Sequence, residues 1–245
     1  MTSPATERRA AFWAGAYVFC LFASYYVLRP IREMLGTIVG SRDLPWMWLG
    51  TLGATLVLQP PFSALVARVP RARFVPIAYR FLAANLAIFA ALFARLGERD
   101  VVLARVFYVW TAVYVLFAVS VFWGFMADAF TSGQGKRWFG RIAAAGTLGA
   151  MAGSLVTRDL ANRAGLPILL LAALVVLEGA VQASRRLELA SPAASLRARP
   201  ADAAGPAALA GLAQVARSPY LLGVAAVVLL YTCTSAFAYF AQNDV

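Results

Sequence analysis

AAFWAGAYVFCLFASYYVLRPIREMLG, residues 10–36, decides how this chain is read. Residues 10–28 carry no charge and have the length a helix needs to cross a bilayer. The run then enters Arg29, Pro30, Arg32 and Glu33. Proline cannot donate a backbone hydrogen bond and crowds the preceding turn, so a helix here either kinks and continues past Pro30 or ends at Arg29. In a continuing helix, Tyr25, Arg29, Arg32 and Gly36 are spaced by four, three and four and share one face. Two readings of that face compete. Arginines at a helix end snorkel to the interface, with Tyr25 and Tyr26 in an aromatic belt. Alternatively, rings beside two guanidinium groups suit an organic anion, because the planar arginine fork binds phosphate or carboxylate in two-pronged fashion and stacks on rings. Two arginines, a proline that permits bending and an acid exceed what an anchor needs.

Working outward, composition places the whole chain in lipid. It is 62% hydrophobic and only 13% charged, whereas a soluble domain is nearer half apolar and a quarter charged. A net charge of +11 would point to nucleic acid in a soluble protein, but here the arginines sit in short stretches between apolar runs and read as membrane topology. Nucleic acid is therefore not an expected partner, and the lipid bilayer is. The chain has no histidine, which removes histidine-based triads, zinc sites and proton switches. Cys20 and Cys233 lie far apart in separate apolar runs and offer no metal spacing. No enzyme, catalytic residue, metal or cofactor is expected. Arg8 and Arg9 before the first apolar run resemble a signal peptide, but the run is long and lacks a clean cleavage site, so it reads as a retained span.

Seven spans are expected, at 10–28, 44–67, 74–94, 101–127, 142–157, 166–184 and 220–242, with Pro60 and Pro61 interrupting the second. Residues 128–141 read as a glycine-rich polar loop, 158–165 as a link, and 185–218 as a basic linker rich in Ala, Pro and Arg. Basic residues of the N-terminus and of segments 68–73, 136–141 and 185–217 fall on one side, which makes that side cytoplasmic and puts the N-terminus inside. The fold class expected is all-α: a polytopic transmembrane helical bundle, with a six-helix bundle over 1–184, a linker over 185–218 and a seventh helix in 219–245. Six spans, a long linker and a seventh span correspond to the first half of a twelve-helix transporter plus one helix of its second half, so transport is expected to need the missing half or a partner chain.

The stretch 122–140, FWGFMADAFTSGQGKRWFG, is the second concentration of polar groups. It lacks the glycine and hydroxyl positions of a phosphate-binding loop. Ala145, Gly149 and Gly153 recur every four residues, the spacing that lets membrane helices pack closely. Asp128 with Lys136 and Arg137 reads either as a gating ion pair or as a solvated loop.

These two motifs together, with RSPYLLG at 217–223, resemble the bacterial branch of the nucleotide (ATP/ADP, NTP/NDP) exchange transporters of the major facilitator superfamily. The resemblance implies a facilitator-type fold, alternating access, antiport of anionic nucleotide-like substrates and a bacterial inner-membrane location. It matches a basic residue of the first-helix motif to Arg32 and the following acid to Glu33. Where those exchangers carry an acidic pair before Lys-Arg, this chain has Gly133 and Gln134.

Two charges fall inside spans, Arg80 and Glu178. A carboxylate at depth costs about 3 kcal/mol on insertion scales, and it either pairs with Arg80 or holds a proton. In folds of this type the first, fourth and seventh helices line the path, which adds Tyr114 and Thr234 to Tyr25, Tyr26, Arg29 and Arg32 as substrate-binding candidates, with Tyr108, Thr111, Ser120, Trp123, Thr232 and Ser235 as further polar groups. Pro30, Glu33, Asp128, Lys136, Arg137, Arg80 and Glu178 are the gating or ion-pair candidates. The expected function is an organic-anion antiporter; the alternatives are a facilitator-type carrier of another small solute, or a non-transporting membrane scaffold.

Overall fold

The computed structural model describes residues 4–40, 43–68, 71–191 and 216–243, without the side chains of 63–68, 71–73, 162 and 236–243. Among these residues every regular element is helical, in the order α1 Pro4–Val39, α2 Leu44–Arg68, α3 Arg71–Leu96, α4 Val101–Ala129, α5 Ser132–Ala161, α6 Arg163–Ala190 and α7 Pro219–Asn243. The chain is all-α. Five helices, α1 and α3 to α6, are long and apolar enough to cross a membrane, while the apolar stretch Pro219–Ser235 of α7 is shorter. The expectation of seven spans thus stands at five by length and composition among the described residues. This is a membrane protein.

Several boundaries differ from the sequence reading. α1 continues through Pro30, and α2 through Pro60 and Pro61. The expected polar loop 128–141 shrinks to the Phe130–Thr131 junction, because a capping box starts α5 there. The Thr131 hydroxyl accepts from the Gln134 amide N–H, and the Gln134 side-chain oxygen accepts from the Thr131 N–H. Such reciprocal bonds satisfy orphan donors of a helix start, so glycine-rich sequence becomes helix. The expected link 158–165 is helical to Ala161, and the chain reverses at Gly165, whose φ of 68° and ψ of 166° suit only glycine; Pro167 follows. Glu98, in the α3–α4 connection, accepts from the Leu166 N–H at 3.1 Å and caps the first turn after the reversal. α6 then runs on to Ala190, into the stretch read as linker, and the Ser191 hydroxyl donates to the Ala129 carbonyl at the end of α4. The remaining linker, 192–215, lies outside the described residues.

The chain divides into two compact units, Met1–Thr55 with Val69–Arg199, and Leu56–Arg68 with Pro200–Val245. The first holds the bundle core, and within it α1 is the shared element. α1 and α5 run parallel with a constant offset: Arg137 meets Glu7 and Thr157 meets Val27, each pair 130 positions apart. Between these ends a Cβ on Gly15 would touch the Ala145 methyl, one on Gly149 would overlap the Phe19 carbonyl oxygen, and one on Gly153 would overlap that of Ala23. The Ala145–Gly149–Gly153 stripe is therefore a helix-packing face, as its spacing predicts. α6 returns antiparallel along another side of α1, with Gly179 against Cys20 and the Ala173 carbonyl against Ser24. α4 takes a third side, with Phe122 and Phe125 edge-on to the Tyr17 ring.

The fit at Gly149 leaves no room for a methyl group, whereas nothing lies within 4 Å of a Cβ at Gly140 on the same helix. Gly149→Ala should therefore destabilise the bundle by about 1–3 kcal/mol, the usual cost of overpacking. Gly140→Ala should be neutral or slightly stabilising, since alanine favours helix. Thermal unfolding of the two variants in detergent checks the contrast, and equal midpoints would contradict the packing described.

Candidate substrate-binding site on the first helix

Because α1 stays helical past Pro30, the expected stripe of Tyr25, Arg29, Arg32 and Gly36 does form on one element. Its members take different partners. Arg32 turns toward α4: its guanidinium lies 3.8 Å from the centre of the Tyr108 ring, its Nε donates to the Tyr108 carbonyl at 3.4 Å, and its Nη1 pairs with Glu33 at 3.0 Å. Gly36 makes this possible, since a Cβ there would sit 3.2 Å from the same ring. The Arg32 side chain is only 19% exposed, so the cation–ring contact is worth more than the 0.5–1 kcal/mol typical of open surfaces, toward about 2.

Arg29 is exposed and folds back on its own helix, donating to the Tyr26 hydroxyl at 3.4 Å with its guanidinium 5.6 Å from that ring. Tyr26 stacks on Phe22 and meets Tyr25 edge-on. Tyr25 in turn borders a cleft with Leu21, Phe22, Tyr114, Val115, Ala118 and Val119 that is too narrow for a water molecule. Pro30 is exposed beside Arg29. The structure thus brings together two arginines and three tyrosines, but with one guanidinium held inward and one facing out.

Tyr114 lines the inner wall of that cleft. It is fully buried, and its hydroxyl lies 3.0 Å from the Ser24 hydroxyl. Ser24 donates its single proton to the Ala173 carbonyl at 2.9 Å, so Tyr114 must be the donor to Ser24. Thr111 is likewise buried and donates to the Phe107 carbonyl. Thr234 belongs to the second unit, where its hydroxyl donates to the Leu230 carbonyl of its own helix, and Thr232 does the same to Val228.

Of the gating candidates, Arg80 and Glu178 meet at 3.0 Å, and Gln182 donates to the same carboxylate oxygen at 2.7 Å. Both charges are partly exposed on the outer surface of α3 and α6. Arg137 pairs with Glu7 at 2.8 Å, and the same Glu7 oxygen accepts from the Trp138 indole N–H at 2.6 Å. Lys136 is exposed and Asp128 half-buried at the adjoining helix ends. The capping box explains why Arg137 faces α1: once residues 132 onward are helical, Arg137 projects from the first turns of α5 rather than from a loop.

Sequence reasoning missed a buried tyrosine relay. The Tyr17 hydroxyl donates to the Tyr79 hydroxyl at 2.6 Å, which donates to the Ala118 carbonyl at 2.9 Å, joining α1, α3 and α4. It also missed Glu7, and the Asp43–Arg105 ion pair between the approaches to α2 and α4. The available signal was a tyrosine deep within each apolar run, since a buried tyrosine hydroxyl usually finds a partner; which partner depends on helix packing. Among the described residues no group of three or more Cys, Asp or Glu side chains is placed to hold a metal ion.

Comparison of the chain with family models, with curated proteins and with solved structures finds no match. The class that stands on the fold is therefore a helical membrane protein with an arginine–tyrosine cluster on its first helix.

The relay makes an asymmetric prediction. Tyr79→Phe breaks both of its hydrogen bonds and orphans the Tyr17 hydroxyl in the core, at about 1–3 kcal/mol. Tyr17→Phe leaves the Tyr79–Ala118 bond intact and should cost about 1 kcal/mol or less. Unfolding midpoints of the two variants in one detergent check the order.

Proposed function

We propose that this protein is an antiporter for organic anions, working by alternating access in the bacterial inner membrane with its N-terminus in the cytoplasm. Nucleotides are the substrate class that the resemblance of its first-helix and 122–140 motifs to the nucleotide exchangers implies. The observation that carries the reading is Arg32, a guanidinium within a membrane-crossing helix, desolvated against Tyr108 and held by Glu33. A guanidinium desolvated on such a helix, four residues past its charge-free run, is costly and reads as a contact for charged solutes. Arg32 meets the anionic group of the substrate, and exposed Arg29 makes the first contact at the mouth. Tyr25 and Tyr26 stack on or hydrogen-bond to the flat part. Pro30, lacking an N–H, lets α1 bend as one helical bundle rocks against another.

Glu33 is the internal counter-ion that Arg32 releases when the substrate arrives. Arg80 and Glu178 play a structural part, pinning α3 to α6 within the bundle. One observation favours the rival reading of a non-transporting scaffold: the cleft beside Tyr25 admits no water as it stands.

A thermal-shift titration with ATP, ADP and unrelated organic anions decides among these. A ligand that binds only the folded state raises the melting point as RT ln(1 + [L]/Kd). Nucleotides should raise it in the unaltered protein, with the shift abolished in Arg32→Ala and reduced in Arg29→Ala. A shift from a different anion, still dependent on Arg32, would replace the substrate; no shift from any anion would leave the scaffold.

A further inference from the structure

We infer that the end of the bundle where α1 and α5 begin and α6 finishes is a binding surface for anionic phospholipids, with Arg141 and Arg186 each taking a headgroup phosphate beside α1. This inference rests on the membrane-crossing helices and is independent of the transport reading.

Each of these arginines lies over a tryptophan. The Arg141 guanidinium is 4.9 Å from the centre of the Trp138 ring, and that of Arg186 is 5.6 Å from the Trp13 ring. The two pairs lie at nearly one height. With α1 and α5 parallel at an offset of 130, Trp13 is level with Ala143, two residues from Arg141, or about 3 Å of helix rise. They flank α1 one to two turns inside the Glu7–Arg137 contact. Tryptophan prefers the depth of lipid headgroups, so both guanidiniums stand where lipid phosphates lie.

Both arginines are exposed, and a ring underneath occupies one face of the guanidinium while leaving its edge donors free to grip a phosphodiester. Arg8 and Arg9 of α1, Lys136 and Arg137 of α5 and Arg185 of α6 are exposed at the same end. Among the described residues three acids stand with them. Glu7 is taken up by Arg137 and Trp138, while Asp128 and Glu188 are half-buried. The field there is strongly positive, which draws anionic lipid rather than zwitterionic lipid.

An acyl-bearing ligand fits better than a free anion because the same helices carry exposed apolar side chains on their outer surface. Phe12, 67% exposed, packs edge-on to Trp13, and Leu148 lies further along α5 from Arg141. A lipid whose phosphate sits on either arginine lays its chains along that surface.

The test uses the full chain in detergent, titrated with short-chain phosphatidylglycerol, phosphatidylcholine of the same chain length, and inorganic phosphate, read by melting point and by native mass spectrometry. Phosphatidylglycerol should bind saturably and raise the melting point, and the other two should not. The double variant Arg141→Gln/Arg186→Gln should bind it about tenfold or more weakly. Arg158→Gln, beside Asp159 at the other end of α5, should leave binding unchanged.

Equal effects of the two lipids would overturn the inference. A phosphate effect matching that of phosphatidylglycerol would reduce the site to a free-anion site and overturn it too. Undiminished binding in the double variant would place the lipid elsewhere. If that variant unfolds, the single variants Arg141→Lys and Arg186→Lys take its place. These keep the charge but lose the planar fork, and each should weaken binding.

Discussion

The close approach of α1 and α5 is the contact on which the rest of the bundle depends. Inside a bilayer there is no water to drive helices together, so association depends on packing and on hydrogen bonds between helices. Here the packing is made by absence: Gly149 and Gly153 let two backbone carbonyls of α1 press onto α5 where any side chain would collide. The parallel register that results places Glu7 on Arg137 and Trp138 at one end and Thr157 on the Val27 carbonyl at the other. It also sets the depth of the two arginine–tryptophan pairs. A shift of α5 by one turn would break all of these contacts together.

With α5 fixed, α1 becomes the helix against which the others satisfy their polar atoms. Tyr17 reaches α3, and through it α4; Ser24 joins Tyr114 of α4 to the α6 backbone. These hydroxyls lie in an apolar interior where an unpaired one would cost about 1–3 kcal/mol, so each chain of bonds specifies which helices are neighbours as well as holding them. The arginine cluster sits at the far end of this well-tied region. Arg32 is held by a ring, a carbonyl and a carboxylate, whereas among the described residues Arg29 is held by its own helix. The firm inner group and the loose outer group differ in what they can do: one is oriented before a ligand arrives, and the other can follow it.

The Arg80–Glu178 contact shows how charge is carried on the outer surface of membrane-crossing helices. Each alone would be expensive at depth, and each is partly exposed. Together with Gln182, which donates to the same carboxylate oxygen, they form a compact polar knot between α3 and α6. Exposed pairs in water contribute little, but surroundings of low dielectric strengthen the attraction and penalise separation.

The fold class was written in the apolar runs, because a bilayer admits few alternatives to helices with satisfied backbones. The packing stripe at Ala145, Gly149 and Gly153 was legible for the same kind of reason, since small residues every four positions have one obvious use in lipid. Candidate residues Tyr25, Tyr26, Arg29 and Arg32 could be named from sequence because charge beside an apolar run is conspicuous. The start of α5 was hidden: glycines and polar residues at 132–135 look like a loop until the Thr131–Gln134 capping box is seen to close. Partners were hidden as well. That Arg32 lies on Tyr108 while Arg29 does not, that Tyr114 is sealed against Ser24, and that Arg137 faces Glu7 depend on helix register and rotation. Sequence alone determined an all-helical membrane protein with a basic cluster on its first helix. Only the tertiary structure decided which charges are held and which are offered, because contacts between residues 130 positions apart arise from how surfaces fit, and no local pattern encodes that fit.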